Sequence, residues 1–426
     1  MKIKVKNMPY ERVMALPRPK HKPPKKPNII FRTLVRLLSI PNLIKVDFTY
    51  TETDMQKAGN GPVLILMNHS SFIDLQIASK LFYPKPYCIV CTTDGFVGKE
   101  WLMRSLGCIP TKKFVTDISL ISNMRTAIKK GASVLMYPEA SYTFDGCNGS
   151  LPRRLGIMLK KLGVPVVTVI TKGAFLLDPL YNGLQKRKTK VSAELKCLYS
   201  ADEIKKLSVD ELDAGIDKVF TFDGFAWQQE NKVRIDEPFR ADGLNRILYK
   251  CPHCDTEGKT IGKGTTLTCT QCGKVYVLDE YGAIAATDGD SAFTHIPDWY
   301  AYERECVRRE LENGTYRLDT EVDICMMVDY KAIYRVGEGR LIHDRNGFTL
   351  TGCDGKLNYN HSPLASYGLY SDYYWYEIGD VICIGNNDCL YYCFPRCGDV
   401  VAKTRLAAEE LYKITRAERK KRHRSD

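Results

Sequence analysis

The sequence lacks an apolar run long enough to span a lipid bilayer. A membrane-spanning helix needs about 20 predominantly apolar residues, and no stretch of this 426-residue chain reaches that length. We expect no secretory signal peptide, since the first apolar run begins far from the amino terminus and has no cleavage site. Internal repeats and a glycine-rich phosphate loop are also missing. These absences argue against an integral membrane protein, a secreted protein, a repeat array and a P-loop nucleotide-binding protein.

Disulfide bonds are not expected, although the chain contains 16 cysteines. Without a secretory signal, this content favours a reducing compartment, with thiols that are buried or bind metal. Two Cys-x-x-Cys pairs separated by 14 residues have the spacing of a tetrathiolate zinc ribbon: Cys251, Cys254, Cys269 and Cys272. Four thiolates close such a site, so the predicted zinc is structural. His253 is a possible substitute ligand, and chance pairing of thiols is the alternative.

The charge of the chain is concentrated at its two ends. The net charge is +12, and residues 1–50 carry 12 basic side chains against two acidic ones. Residues 413–426 carry seven basic side chains against two acidic ones, so the middle of the chain is slightly acidic. Basic ends around a near-neutral body indicate contact with an anionic surface. For the carboxyl-terminal run, a solvated tail is the simpler interpretation.

The amino-terminal end combines a basic segment with an amphipathic one. Residues 18–27 contain four prolines and are predicted to be extended. Residues 29–40 predict a helix in which the large apolar side chains share one side: Ile30, Phe31, Leu34, Leu37 and Leu38. Such a helix beside a polybasic segment is typical of an interfacial membrane anchor. The alternative is a helix packed on the protein's own core.

A polar turn follows the apolar run at residues 62–67. It contains His69 and leads to Asp74 at the start of an apolar-periodic helix, which is a strand–turn–helix pattern. Open α/β sheets form their ligand crevices at the carboxyl ends of their strands. A carboxylate that orients an imidazole there would create a general base near neutral pH. The simpler interpretation is a polar loop in which Ser70 or Ser71 caps the helix.

Three further blocks come in a fixed order after this turn. They are Gly98-Lys99-Glu100-Trp101-Leu102 followed by residues 106–113, then residues 134–141, which end in Tyr137-Pro138-Glu139-Ala140-Ser141, and then residues 163–170, which begin Gly163-Val164-Pro165. Together with Asn68-His69-x-Ser71-x-x-Asp74, they resemble the glycerolipid acyltransferase family, which includes the 1-acylglycerol-3-phosphate acyltransferases. The resemblance covers about residues 30–225. The family has Gly where this chain has Ala140 and a pocket Arg where this chain has Lys, so the acceptor does not follow from the resemblance.

The resemblance implies roles for individual side chains. His69 would take the proton of an acceptor hydroxyl, and Asp74 would hold the imidazole tautomer. The side chains implied to bind substrate are Lys99, Lys112, Lys113, Glu139 and Ser141. Fixed cations and hydroxyl donors suit a glycerol phosphate head group. The co-substrate would be acyl-CoA or an acylated acyl-carrier protein.

The fold class predicted from the whole chain is α/β, followed by smaller modules. Strands are predicted near residues 62–67, 86–92, 132–138, 165–171 and 190–198. Helices are predicted between them at 72–82, at 118–130 with Asp117 as cap and at 151–162 with Ser150 as cap, and Ser200 and Ser208 start two more short helices. This alternation predicts an αβ-layer domain with a mainly parallel sheet, in agreement with the acyltransferase resemblance. A zinc ribbon follows, and then a small β-rich domain of pleckstrin-homology-like topology that ends in a helix. The predicted segments are a basic extended tail (1–28), the acyltransferase domain (29–245), the ribbon (246–290), a helical connector (291–314), the β-rich domain (315–416) and a basic tail (417–426).

The function predicted from these observations is acyl transfer to the hydroxyl of a lysophospholipid such as 1-acylglycerol-3-phosphate. A different lysolipid or a hydroxylated lipid precursor is an alternative acceptor. A protein of another class, a zinc-ribbon nucleic-acid-binding protein, is the second alternative, but the basic charge lies in the tails, so no nucleic acid is expected. We expect peripheral binding to membrane lipids at the cytoplasmic face, and an acyl-carrier protein as a possible partner.

Overall fold

The computed structural model describes residues 2–115 and 117–425. Within these ranges, strands form a seven-stranded, a four-stranded and an eight-stranded sheet. The three sheets follow one another along the chain, apart from one amino-terminal strand that joins the last sheet. This order agrees with an α/β domain followed by a ribbon and a β-rich domain.

The first residues form regular structure where a tail was predicted. Strand β1 (Val5–Asn7) pairs in parallel with residues 333–335, and helix α1 (Tyr10–Met14) buries Val13 completely. The prediction of an extended tail over residues 1–28 is therefore wrong for this part. Its side chains are mostly exposed, so composition did not indicate the backbone pairing that anchors it.

The second half of the amino-terminal segment is extended, as predicted, and lies on the first domain. Lys130 Nζ donates to the carbonyl oxygen of Pro24 over 2.9 Å, and Arg104 donates to that of Lys22 over 3.3 Å. Helix α2 (Ile29–Lys45) follows, capped by the Asn28 side chain, and is longer than predicted. The segment therefore fixes where α2 starts.

The first domain is built on a mainly parallel sheet. Its strands are β2 (Thr49–Thr53), β3 (Leu64–Met67), β4 (Tyr87–Thr92), β5 (Cys108–Thr111), β6 (Ser133–Met136), β7 (Val166–Lys172) and β8 (Ser192–Tyr199). Its helices are α3 (Asp74–Phe82), α4 (Glu100–Ser105), α5 (Ile118–Lys129), α6 (Leu155–Leu162), α7 (Ala174–Leu177), α8 (Ala201–Lys206), α9 (Val209–Val219) and α10 (Gly224–Glu230). The strand order is β2-β8-β7-β3-β6-β4-β5, and every neighbouring pair is parallel except β7 and β8.

The predicted elements of this domain are present, and the differences have local causes. Strand β2 was not predicted because its polar side chains are all exposed at the sheet edge, and β5 was not predicted because it is short and contains Pro110. Asp117 caps α5, and serines start α8 and α9 with capping boxes, as predicted. Ser150 does not cap α6, which begins at Leu155, where Asp213 of α9 accepts a bond from the Gly156 N–H instead.

The ribbon is a four-stranded antiparallel sheet. Its strands are β9 (Thr260–Lys263), β10 (Thr266–Cys269), β11 (Val275–Leu278) and β12 (Ile284–Ala286), in the order β12-β11-β10-β9. Helix α11 (Ile296–Asn313) comes next and ends at Gly314 in the left-handed conformation, close to the predicted bounds. Trp299 of α11 is buried against Tyr276 of β11, so the helix covers the ribbon.

The carboxyl-terminal domain consists of antiparallel strands and a long helix. These elements are β13 (Leu318–Met327), β14 (Ile333–Asp344), β15 (Gly347–Gly352), β16 (Leu357–His361), β17 (Tyr370–Trp375), β18 (Gly379–Gly385), β19 (Leu390–Pro395) and α12 (Val401–Ser425). Pairing of β13 with β19 joins a four-stranded to a three-stranded meander. The β-rich domain is confirmed, whereas its likeness to a pleckstrin-homology module stays a prediction. The basic tail predicted at 417–426 is helical through Ser425, and Arg345 pairs with Glu418 there at 2.8 Å; Asp426 lies outside the described residues.

The three modules share one hydrophobic core. A single cluster of buried side chains joins Phe144 and Phe175 of the first domain, Tyr276 of the ribbon, Trp299 of α11 and Ile324 of β13. The modules therefore pack against one another, and the carboxyl-terminal domain is held against the first domain. This packing brings the last helix to the edge of the first sheet where β3 and β6 end.

Candidate active site

The predicted dyad is formed in the structure. His69 Nδ1 lies 3.1 Å from Asp74 Oδ2, and the same oxygen accepts the backbone N–H groups of Ser70 at 2.9 Å and Ser71 at 3.2 Å. The turn after β3 thus wraps around the carboxylate of the first residue of α3. Contact with Asp74 places the proton of the neutral ring on Nδ1 and leaves the Nε2 lone pair for an acceptor hydroxyl.

Two tyrosines enclose the imidazole. The rings of Tyr137 and Tyr142 stack on that of His69, with centroids 3.9 and 3.8 Å away. Only 15% of the His69 side chain is exposed. The sequence places both tyrosines beside the Pro-Glu block, but nothing in their pattern indicated a stack on a histidine 70 residues earlier. The sandwich fixes the ring plane and removes water from both faces.

Burial sets the protonation of the dyad. It lowers the pKa of His69 well below 6.5, and the nearby Lys113 cation lowers it further. Burial raises the pKa of Asp74 to about 7, against the opposing effect of the Ser70 and Ser71 N–H groups. The imidazole is therefore neutral near pH 7, which is the form that accepts a proton. Once it gains that proton, the adjacent carboxylate stabilises the imidazolium.

Glu139 supports the turn that carries the dyad. It is buried after β6, and its oxygens accept from the His69 N–H at 3.3 Å, the Asn148 amide at 2.9 Å and the Gly149 N–H at 2.6 Å. Burial raises the pKa of this carboxyl to about 7, and these donors oppose the shift. Glu139 thus contacts the backbone that carries the dyad, and the substrate-binding role predicted for it stays a prediction.

The other predicted substrate-binding residues lie towards the carboxyl-terminal domain. Ser141 Oγ accepts from Arg405 of α12 at 2.9 Å, and Lys112 Nζ donates to the carbonyl oxygen of Asn387. Lys113 Nζ lies 4.3 Å above the centroid of the Tyr370 ring. Burial lowers the pKa of Lys113, while the charges of two carboxylates, Asp372 and Asp94, offset that effect. Lys99 is the half-buried residue before α4.

Arg405 is a further site residue that the sequence did not indicate. It lies 264 residues after Ser141, in the helix predicted at the end of the β-rich domain. No local motif connects it with the first domain. Only the packing of α12 against the end of β6 reveals the contact.

The four ribbon cysteines converge as predicted. Their Sγ atoms all lie within 4.8 Å of one another, with Cys251 and Cys272 at 3.8 Å and Cys254 and Cys269 at 3.7 Å. Four sulfurs at 2.3 Å around a tetrahedral zinc ion are about 3.8 Å apart. The cluster therefore fits a structural zinc ion.

Comparisons with known proteins agree with the motif blocks. Residues 46–172 match the family model described as "Acyltransferase". The chain carries an acyltransferase-family domain. That segment contains His69, Asp74, Glu139 and the lysines at 99, 112 and 113.

Two plant proteins are similar to part of the chain. It is 28% identical over 141 residues to the 1-acyl-sn-glycerol-3-phosphate acyltransferase BAT2, chloroplastic, of Brassica napus, covering 31% of this chain and 40% of that protein. It is 30% identical over 122 residues to the 1-acyl-sn-glycerol-3-phosphate acyltransferase LPAT1, chloroplastic, of Arabidopsis thaliana, covering 28% and 34%. The chain thus spans two fifths or less of these relatives.

A solved structure is also similar, at low identity. It is the 1-acyl-sn-glycerophosphate acyltransferase PlsC from Thermotoga maritima, with 16% identity and a TM-score of 0.36 over 44% of this chain and 76% of that chain. The assignment of the domain depends on the family model and on the two plant relatives.

The buried dyad predicts an unusual titration of His69. In NMR spectra of protein with isotope-labelled histidine rings, the His69 signal, assigned with His69→Gln, should remain that of a neutral imidazole at pH 6. The reason is that burial and Lys113 lower its pKa, whereas an unperturbed histidine titrates near 6.5. A midpoint at or above 6.5 would contradict the buried geometry.

Proposed function

We propose that this protein is an O-acyltransferase that moves an acyl group from a thioester to the free hydroxyl of a lysophospholipid of the 1-acylglycerol-3-phosphate type. The observation that carries the proposal is the His69–Asp74 pair, with a neutral imidazole, inside an acyltransferase-family domain. The donor would be acyl-CoA or acyl-carrier protein. The acceptor class follows the names of the two plant relatives.

The geometry supports a direct transfer. His69 Nε2 removes the proton from the acceptor hydroxyl as its oxygen attacks the thioester carbonyl carbon. The tetrahedral intermediate then collapses, the C–S bond breaks, and the leaving thiolate takes the proton from the imidazolium. Asp74 stabilises the imidazolium between these two steps. The products are one ester and one thiol.

A less anionic acceptor is the second candidate. Asp94 and Asp372 lie close enough to Lys113 to affect its pKa, and Tyr370 donates to Asp94 Oδ2 at 2.5 Å. These carboxylates reduce the positive charge available to a phosphate dianion. They favour a lysolipid or hydroxylated lipid whose head group carries less negative charge.

Removal of the base should abolish turnover. His69→Ala is expected to lower acyl transfer by about 10²–10⁴-fold, since proton abstraction by a positioned base contributes that much. Rates are measured as thiol release together with formation of the lipid ester. His21→Ala, a change at an exposed histidine, is the control and should keep wild-type rates. Wild-type turnover in folded His69→Ala would contradict the assignment.

We also propose that α2 attaches the enzyme to a membrane surface. Its apolar side faces solvent, with Ile30 exposed by 72% and Leu38 by 68%, while Ser39 and Leu43 face the protein. A helix packed on the protein's own core would instead bury this apolar side. In the described residues, no helix combines the length and apolar character needed to cross a bilayer. An interfacial helix buries only its apolar side in lipid.

The exposed apolar surface continues towards the dyad. Trp101 is 69% exposed and contacts Phe31 of α2, with ring centroids 6.2 Å apart. Helix α2 packs along α3, and the exposed Phe72 just before α3 lies 5.3 Å from the ring of Tyr142. An acceptor held in a bilayer under this surface would have a short path to His69.

Vesicle sedimentation tests this attachment. The triple change Ile30→Gln, Leu34→Gln and Leu38→Gln should reduce binding to anionic vesicles, because it removes apolar area worth roughly 25 cal/mol per Å². Wild-type binding should weaken with salt without vanishing, since the lysines of residues 18–27 add a screened attraction. Deletion of residues 1–40 is unsuitable, because it removes β1 and the buried Val13.

Ile261→Gln is the matched control for the vesicle experiment. It replaces an exposed apolar side chain in the ribbon, away from α2. Its binding should equal that of the wild type. Equal binding by the triple variant would show that α2 does not contact lipid.

We propose further that the ribbon cluster binds one zinc ion per chain. Metal analysis of freshly purified protein should give about one zinc, and Cys251→Ser with Cys269→Ser should remove it. Because metal binding is coupled to folding, chelation should loosen the ribbon before the dyad domain. Cys397→Ser, a change at an exposed thiol outside the cluster, should retain the metal. Unchanged zinc in the double variant would refute the site.

A further inference from the structure

The turn after β6 adopts a backbone conformation that its sequence disfavours. Ala140 has φ of +59°, in the left-handed region. A residue with a β-carbon rarely adopts this conformation, whereas glycine does so freely. The turn therefore needs stabilisation from outside itself.

Arg405 of α12 supplies contacts on the residues that follow Ala140. Its Nη2 donates to Ser141 Oγ at 2.9 Å, and its Nη1 donates to the carbonyl oxygen of Tyr142 at 3.1 Å. The guanidinium also lies 4.3 Å above the ring centroid of Phe144. One planar group thus contacts three residues of the turn, which a flexible ammonium could not do.

The same turn encloses His69. Tyr142 stacks on the imidazole at 3.8 Å, and the Thr143 N–H donates to the His69 carbonyl oxygen at 3.2 Å. Glu139, at the start of the turn, accepts from the His69 N–H. A shift of the turn would therefore move both the ring that covers His69 and the backbone that carries it.

Arg405 is itself held in place by buried ion pairs. Its Nε donates to Glu409 one turn later at 3.3 Å. Arg304 of α11 binds Glu409 at 2.7 Å and Glu410 at 3.0 Å. This network fixes the side chain in an orientation that points from the carboxyl-terminal domain into the first domain.

We propose that Arg405 is a positioning residue for the His69 site: by holding the turn at Ala140 in its left-handed conformation, it makes the carboxyl-terminal helix part of the active site. The inference rests on the proposed acyl transfer for its kinetic consequence, but its structural consequence is independent of activity. If Arg405 only held the two domains together, its effect on the site would not depend on the backbone conformation of Ala140.

A double-mutant cycle tests this role. Arg405→Gln should lower kcat more than it raises KM, by about 10²-fold, the cost of a small displacement of catalytic groups. Ala140→Gly alone should have little effect. In the Arg405→Gln background, Ala140→Gly should restore most of the lost kcat, because glycine adopts the required φ without help. Additive effects of the two changes would overturn the proposal.

A readout that does not use activity accompanies the cycle. When the turn loosens, water reaches the imidazole, so the NMR pKa of His69 should rise towards 6.5 in Arg405→Gln and fall back in the double variant. An unchanged His69 pKa in Arg405→Gln would overturn the positioning role. If the protein transferred no acyl group at all, the proposed function would be wrong. The His69 pKa of Arg405→Gln would still test the positioning role in that case.

Two further variants guard against loss of folding. Arg405→Lys keeps the charge but cannot make both turn contacts, so it should give an intermediate kcat and an intermediate His69 pKa. Arg345→Gln is the matched control, because it breaks a surface pair with Glu418 of α12 far along the helix. It should match the wild type in thermal unfolding, kcat and His69 pKa. A wild-type kcat in Arg405→Lys together with a wild-type His69 pKa in both Arg405 variants would refute the proposal.

Discussion

The buried contact between His69 Nδ1 and Asp74 is the interaction on which the rest of the structure depends. Burial of an ionisable pair is costly unless its polar atoms find partners. Here the turn after β3 directs two backbone N–H groups at the carboxylate, and two tyrosines close over the ring. The strand order explains why this is possible, since β3 lies between β7 and β6 and the turns of β3 and β6 meet at one edge.

The carboxyl-terminal half takes part in this arrangement. Its strands and helix share a core with the first domain, and it contacts the site region through the Asn387 carbonyl oxygen and through the side chains of Tyr370 and Arg405. The zinc ribbon and α11 lie between the two halves in sequence and pack into the same core. The carboxyl-terminal half therefore contributes contacts to the site and does not form a separate module.

Short-range patterns predicted much of the fold and the centre of the site. The dyad, the caps at Ser200 and Ser208 and the end of α11 at Gly314 each depend on residues a few positions apart, and the ribbon cysteines depend on two such pairs 14 residues apart. The missed features depend on distant partners. Strand β1 pairs with residues more than 300 positions away, and the turn after β6 is held by α12. Periodicity identified the apolar side of α2, but only packing showed that this side faces solvent.

The central claim is transfer of an acyl group to a lysophospholipid hydroxyl by the His69 site. The most direct measurement incubates purified protein with an isotope-labelled acyl thioester and a pool of lysolipids that differ in head group, and identifies the products by mass spectrometry. The account predicts a labelled diacyl lipid, with one ester formed for each thiol released. Release of thiol without any labelled lipid ester would contradict it.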